Sequence, residues 1–342
     1  MNDWEKIICF ESLYKAHRRA RLSKRHKKEV VEFENNLSAN LWGMHYDLKY
    51  GRYKSGGYHT FMIYDPKERE IQAISYRDRV LQHSLCDNYL IPLLERKLIY
   101  DNVACRKDKG TVLACSRLSR FMTEYYKTNG DKGFFIKIDI KKYFNSIDHV
   151  ILKEKLKEIV DDEKVLTLLF MIIDDYSFLP GVGLPMGNQS SQCFALLYLD
   201  CIDKYIKRNL KIKYYVRYMD DFVLLVQDRE RACGCLNELA KKIAGLNIVP
   251  NSKSQIIPMK NGIGFLGWLF RFDKNGKIIR TLKRASGRRI WHKIKTNCFL
   301  VNSNKKSAAK LQLSMISYKG LCSIGMCKTF LFRLRKYVQN FI

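Results

Sequence analysis

The chain has 342 residues, too many for one small core and typical of two or three packed subdomains; 46% are hydrophobic and 12% aromatic, which excludes a disordered chain. No apolar run approaches the ~20 residues of a membrane helix, Met1–Cys9 carries Asp3 and Glu5 where a secretory leader would be basic and then apolar, and the eleven cysteines show no paired CxxC spacing of a zinc site or disulfide framework. A formal charge of +28 repels itself unless a polyanion neutralises it, so nucleic acid is the expected partner.

From Trp4 to about Leu48 the apolar spacing predicts a helical arm, made strongly basic by the run Arg18, Arg19, Arg21, Lys24, Arg25, His26, Lys27 and Lys28. Gly51, Gly56, Gly57 and Pro66 then punctuate two short strands, Tyr58–Tyr64 and Glu70–Ile74, ahead of a helix from about Asp78 to Leu94. Phe134–Ile140 reads as a strand, Val150–Ile159 and Lys164–Ile173 as amphipathic helices, and Ser190–Asn209 as one long helix entered from a glycine loop. Tyr214–Val226 is expected to be a hairpin. The tail from about Thr281 reads as basic helices, and residues 251–342 hold 20 Lys or Arg against a single acid, Asp273, so this region is expected to line a nucleic-acid backbone.

Alternation puts Ile136, Ile138 and Ile140 on one face of the Phe134–Ile140 strand and Phe135, Lys137 and Asp139 on the other, leaving Asp139 at the strand end. An Asp in that position often just caps a turn. Its partner is Tyr218-Met219-Asp220-Asp221-Phe222, where two apolar strands meet at a pair of acids. Adjacent carboxylates repel, and an arrangement that keeps both ionised points to a bound cation. Oxygen ligands with no nearby His or Cys favour Mg²⁺ over zinc. Two such ions, about 4 Å apart, are what in-line phosphoryl transfer uses.

Tyr218-Met219-Asp220-Asp221 with the Asp139 strand resembles the palm of reverse transcriptases. Gly183-Leu184-Pro185-Met186-Gly187-Asn188-Gln189-Ser190-Ser191-Gln192 resembles the loop and helix that embrace the incoming nucleotide and template in that family. Lys253 resembles the lysine that protonates the leaving pyrophosphate, and Gly264-Phe265-Leu266-Gly267-Trp268 the hairpin that grips the primer. Lys67, Arg69 and Arg77, with Asp78 and Arg79, look like the fingers segment that holds the triphosphate, and Phe144 falls where the family places the aromatic that excludes a 2′-hydroxyl.

The resemblance implies an α+β right-hand polymerase fold, with fingers, a palm built on an antiparallel sheet, and a helical thumb. A basic helical arm would occupy residues 1–60, fingers 61–133 and 149–185, palm 134–148 and 186–270, and thumb 271–342. It further implies RNA-directed DNA synthesis with two Mg²⁺ ions held at Asp139, Ile140, Asp220 and Asp221. Asp139, Asp220, Asp221 and Lys253 would be catalytic. Lys67, Arg69, Arg77, Phe144, Met186, Gly187 and Gln192 would bind nucleotide, and Phe265, Leu266, Gly267 and Trp268 the primer. After residue 270 no ribonuclease H, integrase or endonuclease domain is expected.

Most reverse transcriptases carry Gln-Gly-x-x-x-Ser-Pro at the nucleotide loop, whereas this chain has Met186-Gly187-Asn188-Gln189-Ser190-Ser191-Gln192. An apolar residue before the glycine and Gln in place of Pro resemble the reverse transcriptases of diversity-generating retroelements, as do Arg52–Phe61 and Asp78–His83. That branch implies a template RNA, RNA/DNA hybrid and dNTPs as ligands, misincorporation opposite adenines, a small basic accessory protein forming a ring, and a cytoplasmic setting in a bacterial or phage-infected cell. Two other readings stand beside it: an antiphage-defence or abortive-infection reverse transcriptase using a dedicated noncoding RNA, and a non-catalytic, maturase-like RNA-binding protein.

Overall fold

The computed structural model describes residues 1–64 and 68–341. Chain contacts divide it into two compact units: one formed by Met1–Asp108, Ile140–Asn209 and Glu238–Ser252, the other by Lys109–Asp139, Leu210–Asn237 and Lys253–Ile342.

In the first unit the predicted arm is four helices, Asp3–Ile8, Phe10–Ala20, Lys28–Asn35 and Leu37–Lys49. Asn2 opens the first with a capping box to Glu5. Leu13, Ala16, Val30, Leu41, Met44 and Leu48 turn inward and are buried, while the basic run spans the end of the second helix and the turn after it. Ser75 caps helix Tyr76–Leu85, where the Asp78 amide donates to its hydroxyl. The predicted Asp78–Leu94 helix continues, by way of a π-helical turn at Cys86–Leu90, into Ile91–Lys97. Strands β1 (Tyr58–Ile63) and β2 (Arg69–Ile74) form an antiparallel pair, Tyr58 opposite Ile74 and Ile63 opposite Arg69. Two further helices, His149–Lys157 and Glu163–Asp174, start at aspartate caps, Asp148 and Asp162. The expected single helix Ser190–Asn209 is two, Gln189–Tyr198 and Asp200–Arg208. Leu199 leaves the helical conformation, and Tyr198 beside it is anchored by donating its hydroxyl to the Leu246 carbonyl at 2.5 Å.

The second unit is built on a four-stranded antiparallel sheet of β3 (Phe134–Ile138), β4 (Tyr215–Tyr218), β5 (Asp221–Val226) and β6 (Gln255–Pro258), ordered β4-β5-β3-β6. β3 is central and ends at Ile138, two residues sooner than the alternation predicts. Phe135, expected on the open face, is wholly buried alongside Ile136, so both faces of the strand are covered at that end. Helix Thr111–Asn129 lies in this unit, and its Tyr125 donates its hydroxyl to the Val226 carbonyl at the end of β5. A second sheet, β7 (Ile263–Phe265), β8 (Trp268–Phe272) and β9 (Ile278–Leu282), leads into three helices, Arg284–Asn302, Ala308–Cys322 and Lys328–Gln339. These close on a small core of Ile290, Ile294, Cys298, Leu311 and Leu334 and leave their cations outward. Among the described residues, no helix is long and apolar enough to cross a membrane.

Candidate active site

The acids are positioned by strand register. β3 and β5 run antiparallel with Ile138 opposite Phe222, so the next step sets Asp139 opposite Asp221. β4 and β5 pair Tyr218 with Asp221, leaving Met219 and Asp220 as a two-residue tip. Met219 adopts a left-handed φ of 55°, which a tight two-residue hairpin requires. The fully buried Arg217 donates to the Met219 carbonyl at 2.9 Å and fixes the tip from below. On the other flank the Asp139 amide donates to Ser254 Oγ at 3.4 Å, which brings the loop carrying the exposed Lys253 to the end of β3.

Lys137, two residues before Asp139, occupies the same strand face. Its ammonium lies 3.3 Å from Asp221 Oδ1 and donates to the Gly264 carbonyl at 2.7 Å. Lys283 comes to the same point from the segment after β9: its Cε and Nζ pass so close to Gly264 that a Cβ there would sit 2.2 Å from Cε and the end of the lysine would have to move aside. Burial pushes the Asp221 carboxyl up to about 6; Lys137 opposes the shift, and the charges of Asp139 and Asp220 add to it. Burial is also the main reason the Lys283 ammonium titrates below its ordinary range, with Lys137 adding to the effect.

Asp221 Oδ1 is buried and, apart from its ion pair with Lys137, accepts no hydrogen bond. A buried, acceptor-only oxygen beside further carboxylates suits a hard divalent cation with oxygen ligands. Among the described residues no three Asp, Glu, His or Cys side chains are already gathered as a metal cage. The structure thus sets Asp139 beside Asp221 with Asp220 at the adjoining tip, in an open arrangement.

Of the residues expected to grip a primer, Phe265 and Trp268 are buried as core of the β7–β8 hairpin, while the partly exposed Leu266 and Gly267 make its turn, both at positive φ. The Lys283 amide donates to the Gly267 carbonyl at 3.0 Å.

The first unit carries the residues expected on the nucleotide side. Tyr143 is buried and donates its hydroxyl to the Ala195 carbonyl at 2.5 Å, whereas Phe144 is only half-buried. The Leu184 amide donates to the Phe144 carbonyl at 2.8 Å, so the loop containing Met186 and Gly187 is pinned to the segment that bears Phe144. At its far end the loop is fixed by Ser190 donating to Gln82 at 2.8 Å and Gln189 to Asp87 at 3.0 Å. Gly187 has φ of 112°. Met186 and Gln192 are partly exposed. A cavity of about 680 Å³ opens along this loop, lined by Tyr58, Ile71, Gln72, Arg79, Gly187 and Asn188, with Lys24 and Lys27 at its rim. Arg69 begins β2 and is exposed; Lys67 lies outside the described residues. Arg77 is already engaged, donating to Asp47 at 2.6 Å and stacking on the Tyr53 ring. Asp78 collects the Tyr53, Ser55 and Ser75 hydroxyls and the Gly56 amide, a structural knot.

Reasoning from sequence does not give Lys137, Arg217 or Ser254 a role. For Lys137 the signal was present, because strand alternation alone puts it on the face of Asp139.

The family model for reverse transcriptase (RNA-dependent DNA polymerase) matches residues 65–270, from the start of the fingers-like segment through β7 and into β8. The chain belongs to the reverse transcriptase family. A putative COX1/OXI3 intron 2 protein of Saccharomyces cerevisiae is 22% identical over 279 residues, 63% of this chain and 30% of that protein, so the chain spans under a third of that relative's length. A telomerase structure from Candida albicans, solved with a TWJ fragment of telomeric RNA, superposes with a TM-score of 0.50 at 15% identity, covering 82% of this chain and 57% of that one. The reverse transcriptase family and this likeness agree on a right-hand polymerase fold.

Proposed function

We propose that this reverse transcriptase makes cDNA from a template RNA by two-metal-ion nucleotidyl transfer. The observation that carries the reading is the β3–β5 register, which sets Asp139 beside Asp221 and next to the Asp220 tip. When bound, a pair of Mg²⁺ ions would supply the lowered pKa of the attacking hydroxyl and the bridging of the triphosphate. Asp139 and Asp221 would hold them, with the Ile140 main chain and Asp220 completing the set. Lys137 orients the Asp221 carboxylate. Lys253 would donate the proton to the leaving pyrophosphate, and Arg69 and Lys67 would stabilise the triphosphate charge. Arg77, tied to Asp47, would act by holding its segment. Phe144 would be the steric gate, while Tyr143 beside it is committed to the core. The Leu266–Gly267 turn would contact the primer.

The apolar Met186 ahead of Gly187 supports the finer reading as a diversity-generating enzyme. Replacing an amide by a thioether removes hydrogen bonds at the nascent pair and weakens the geometric check on pairing, which suits copying adenines with errors. A basic ring-forming accessory protein would then be its partner.

Primer extension on an RNA template with Mg²⁺ tests the main reading: cDNA is expected from the parent and none from Asp220→Asn, Asp221→Asn, and equal product from both would overturn it. Sequencing that cDNA tests the finer one. Errors should concentrate opposite adenines and diminish in Met186→Gln.

A further inference from the structure

The polymerase motifs leave unused a row of aromatic rings on the basic N-terminal helices. Phe10 and Tyr14 lie one turn apart on helix Phe10–Ala20, and Trp42, Tyr46 and Tyr50 recur every fourth residue along and just past helix Leu37–Lys49. Their rings follow one another without a gap. Tyr14 stacks on Phe10 at 6.5 Å and 5°, Phe10 on Trp42 at 4.9 Å and 29°, Trp42 on Tyr46 at 5.8 Å and 27°, and Tyr46 on Tyr50 at 6.2 Å and 9°. The opposite sides of the same helices already supply the core through Leu13, Ala16, Leu41, Met44 and Leu48. Tyr14, Trp42, Tyr46 and Tyr50 nevertheless stay 39, 43, 45 and 60% exposed. Single exposed aromatics are ordinary, but a contiguous row marks a surface that something covers.

Charge indicates what covers it. At one end Lys49 and Arg52 sit over the Tyr50 ring at 5.8 and 5.3 Å. At the other, the exposed Arg18 continues the Phe10–Tyr14 line one turn further. The nearby acids are spent within the protein, Glu11 on Lys15 and Asp47 on Arg77, each at 2.6 Å. Rings flanked by cations suit a strand whose phosphates are paired and whose base faces are free to stack, a contact that tolerates any base. An apolar protein partner would instead meet cations that its own surface would have to neutralise.

We infer that this aromatic row binds single-stranded RNA. The choice of RNA over DNA rests on the proposed template; the binding itself requires no polymerisation.

The test uses the full chain and an unstructured oligouridylate of about 16 nucleotides, the upper end of common single-strand site sizes. Of the four tryptophans only Trp42 is among the strongly exposed side chains, so binding should quench tryptophan fluorescence and ultraviolet crosslinks should map to Trp42, Tyr46 and Tyr50. Trp42→Ser with Tyr46→Ser should weaken binding at least tenfold and abolish the quench. Extension of a primer on a template with a single-nucleotide overhang should stay at the parent rate. Lys49→Gln, which removes no ring, should weaken binding less and lower its salt dependence.

Unchanged affinity in the double variant, or crosslinks confined to other segments, would overturn the proposal. So would a double variant that loses self-association or capture of a protein partner while keeping its RNA affinity, since the row would then be a protein interface. Tighter binding of the matching deoxyribonucleotide strand would overturn the choice of RNA. Crosslinks at these rings in a chain that synthesises no cDNA would uphold the surface and remove the polymerase reading instead.

Discussion

The four-stranded sheet that carries the acids and the two-stranded ladder that carries Arg69 are both antiparallel, yet they hold their charges in opposite ways. β3 is hydrogen-bonded along both edges, to β5 and β6, and Phe135, Ile136 and Ile138 are buried, so its register is held by two ladders and by packing on both faces. Among the described residues β1 and β2 pair only with each other, and four of six residues of β1 are exposed. A carboxylate that must hold a small cation requires position fixed to a fraction of an ångström. A guanidinium that steadies a triphosphate can reach for it on a long stem. On the proposed roles, the more firmly held sheet is the one whose ligand geometry would be strict.

Kinetics can test this contrast. Asp139→Asn should lower the extension rate by on the order of 10³-fold or more, the scale on which electrostatic stabilisation of the transferring group is lost, with primer and nucleotide KM little changed. Single-turnover extension measures it, and a loss expressed only in KM would contradict a role at the reacting atoms. Lys137→Met should raise the Mg²⁺ concentration for half-maximal rate by roughly 10–100-fold, as removal of an outer-shell partner does. Lys137→Arg should restore much of it, which a merely structural strut would not require. In the ladder, Arg69→Ala should act chiefly on dNTP KM, by about tenfold, one charge-assisted contact. An equal fall in kcat would mean that the ladder is as strictly placed as the sheet.

The smallest effect concerns stability. Because the folded protein raises Asp221 to about 6, the native state keeps a proton that the unfolded chain has released between about pH 4 and 6. Cation-free stability should therefore fall as pH rises through that window. Asp221→Asn should abolish that slope and, without cation, be more stable than the parent at pH 7 by about 1–2 kcal/mol. Denaturant melts at several pH values, with chelator, provide the comparison.

Much of the four-stranded sheet was legible in sequence because a buried strand and a two-residue hairpin write themselves locally: Phe134–Ile138 is a short apolar run ahead of its acid, though buried on both faces rather than alternating, and Tyr218-Met219-Asp220-Asp221 falls between two apolar runs. Helices Thr111–Asn129 and Arg229–Ala244 were not anticipated. Their buried faces do carry an apolar stripe, Leu118, Phe121, Met122 and Tyr125 in the first and Leu239 and Ile243 in the second, diluted by the small Ala114, Cys115, Ala232 and Cys235 and by the charged residues between them. The break at Leu199 has no glycine or proline to announce it; distant anchors such as the Leu246 carbonyl accompany it. Lys137 and Gly264 are 127 residues apart, and no local pattern predicts that a carbonyl so far along the chain accepts from the ammonium paired with Asp221.

Lys283 is the last residue before helix Arg284–Asn302, and its amide holds the Gly267 carbonyl while its stem lies across Gly264. A helix that starts at a corner cannot shift along its axis without dragging that corner with it. Any displacement of that helix is therefore transmitted to the Leu266–Gly267 bend through a single main-chain hydrogen bond.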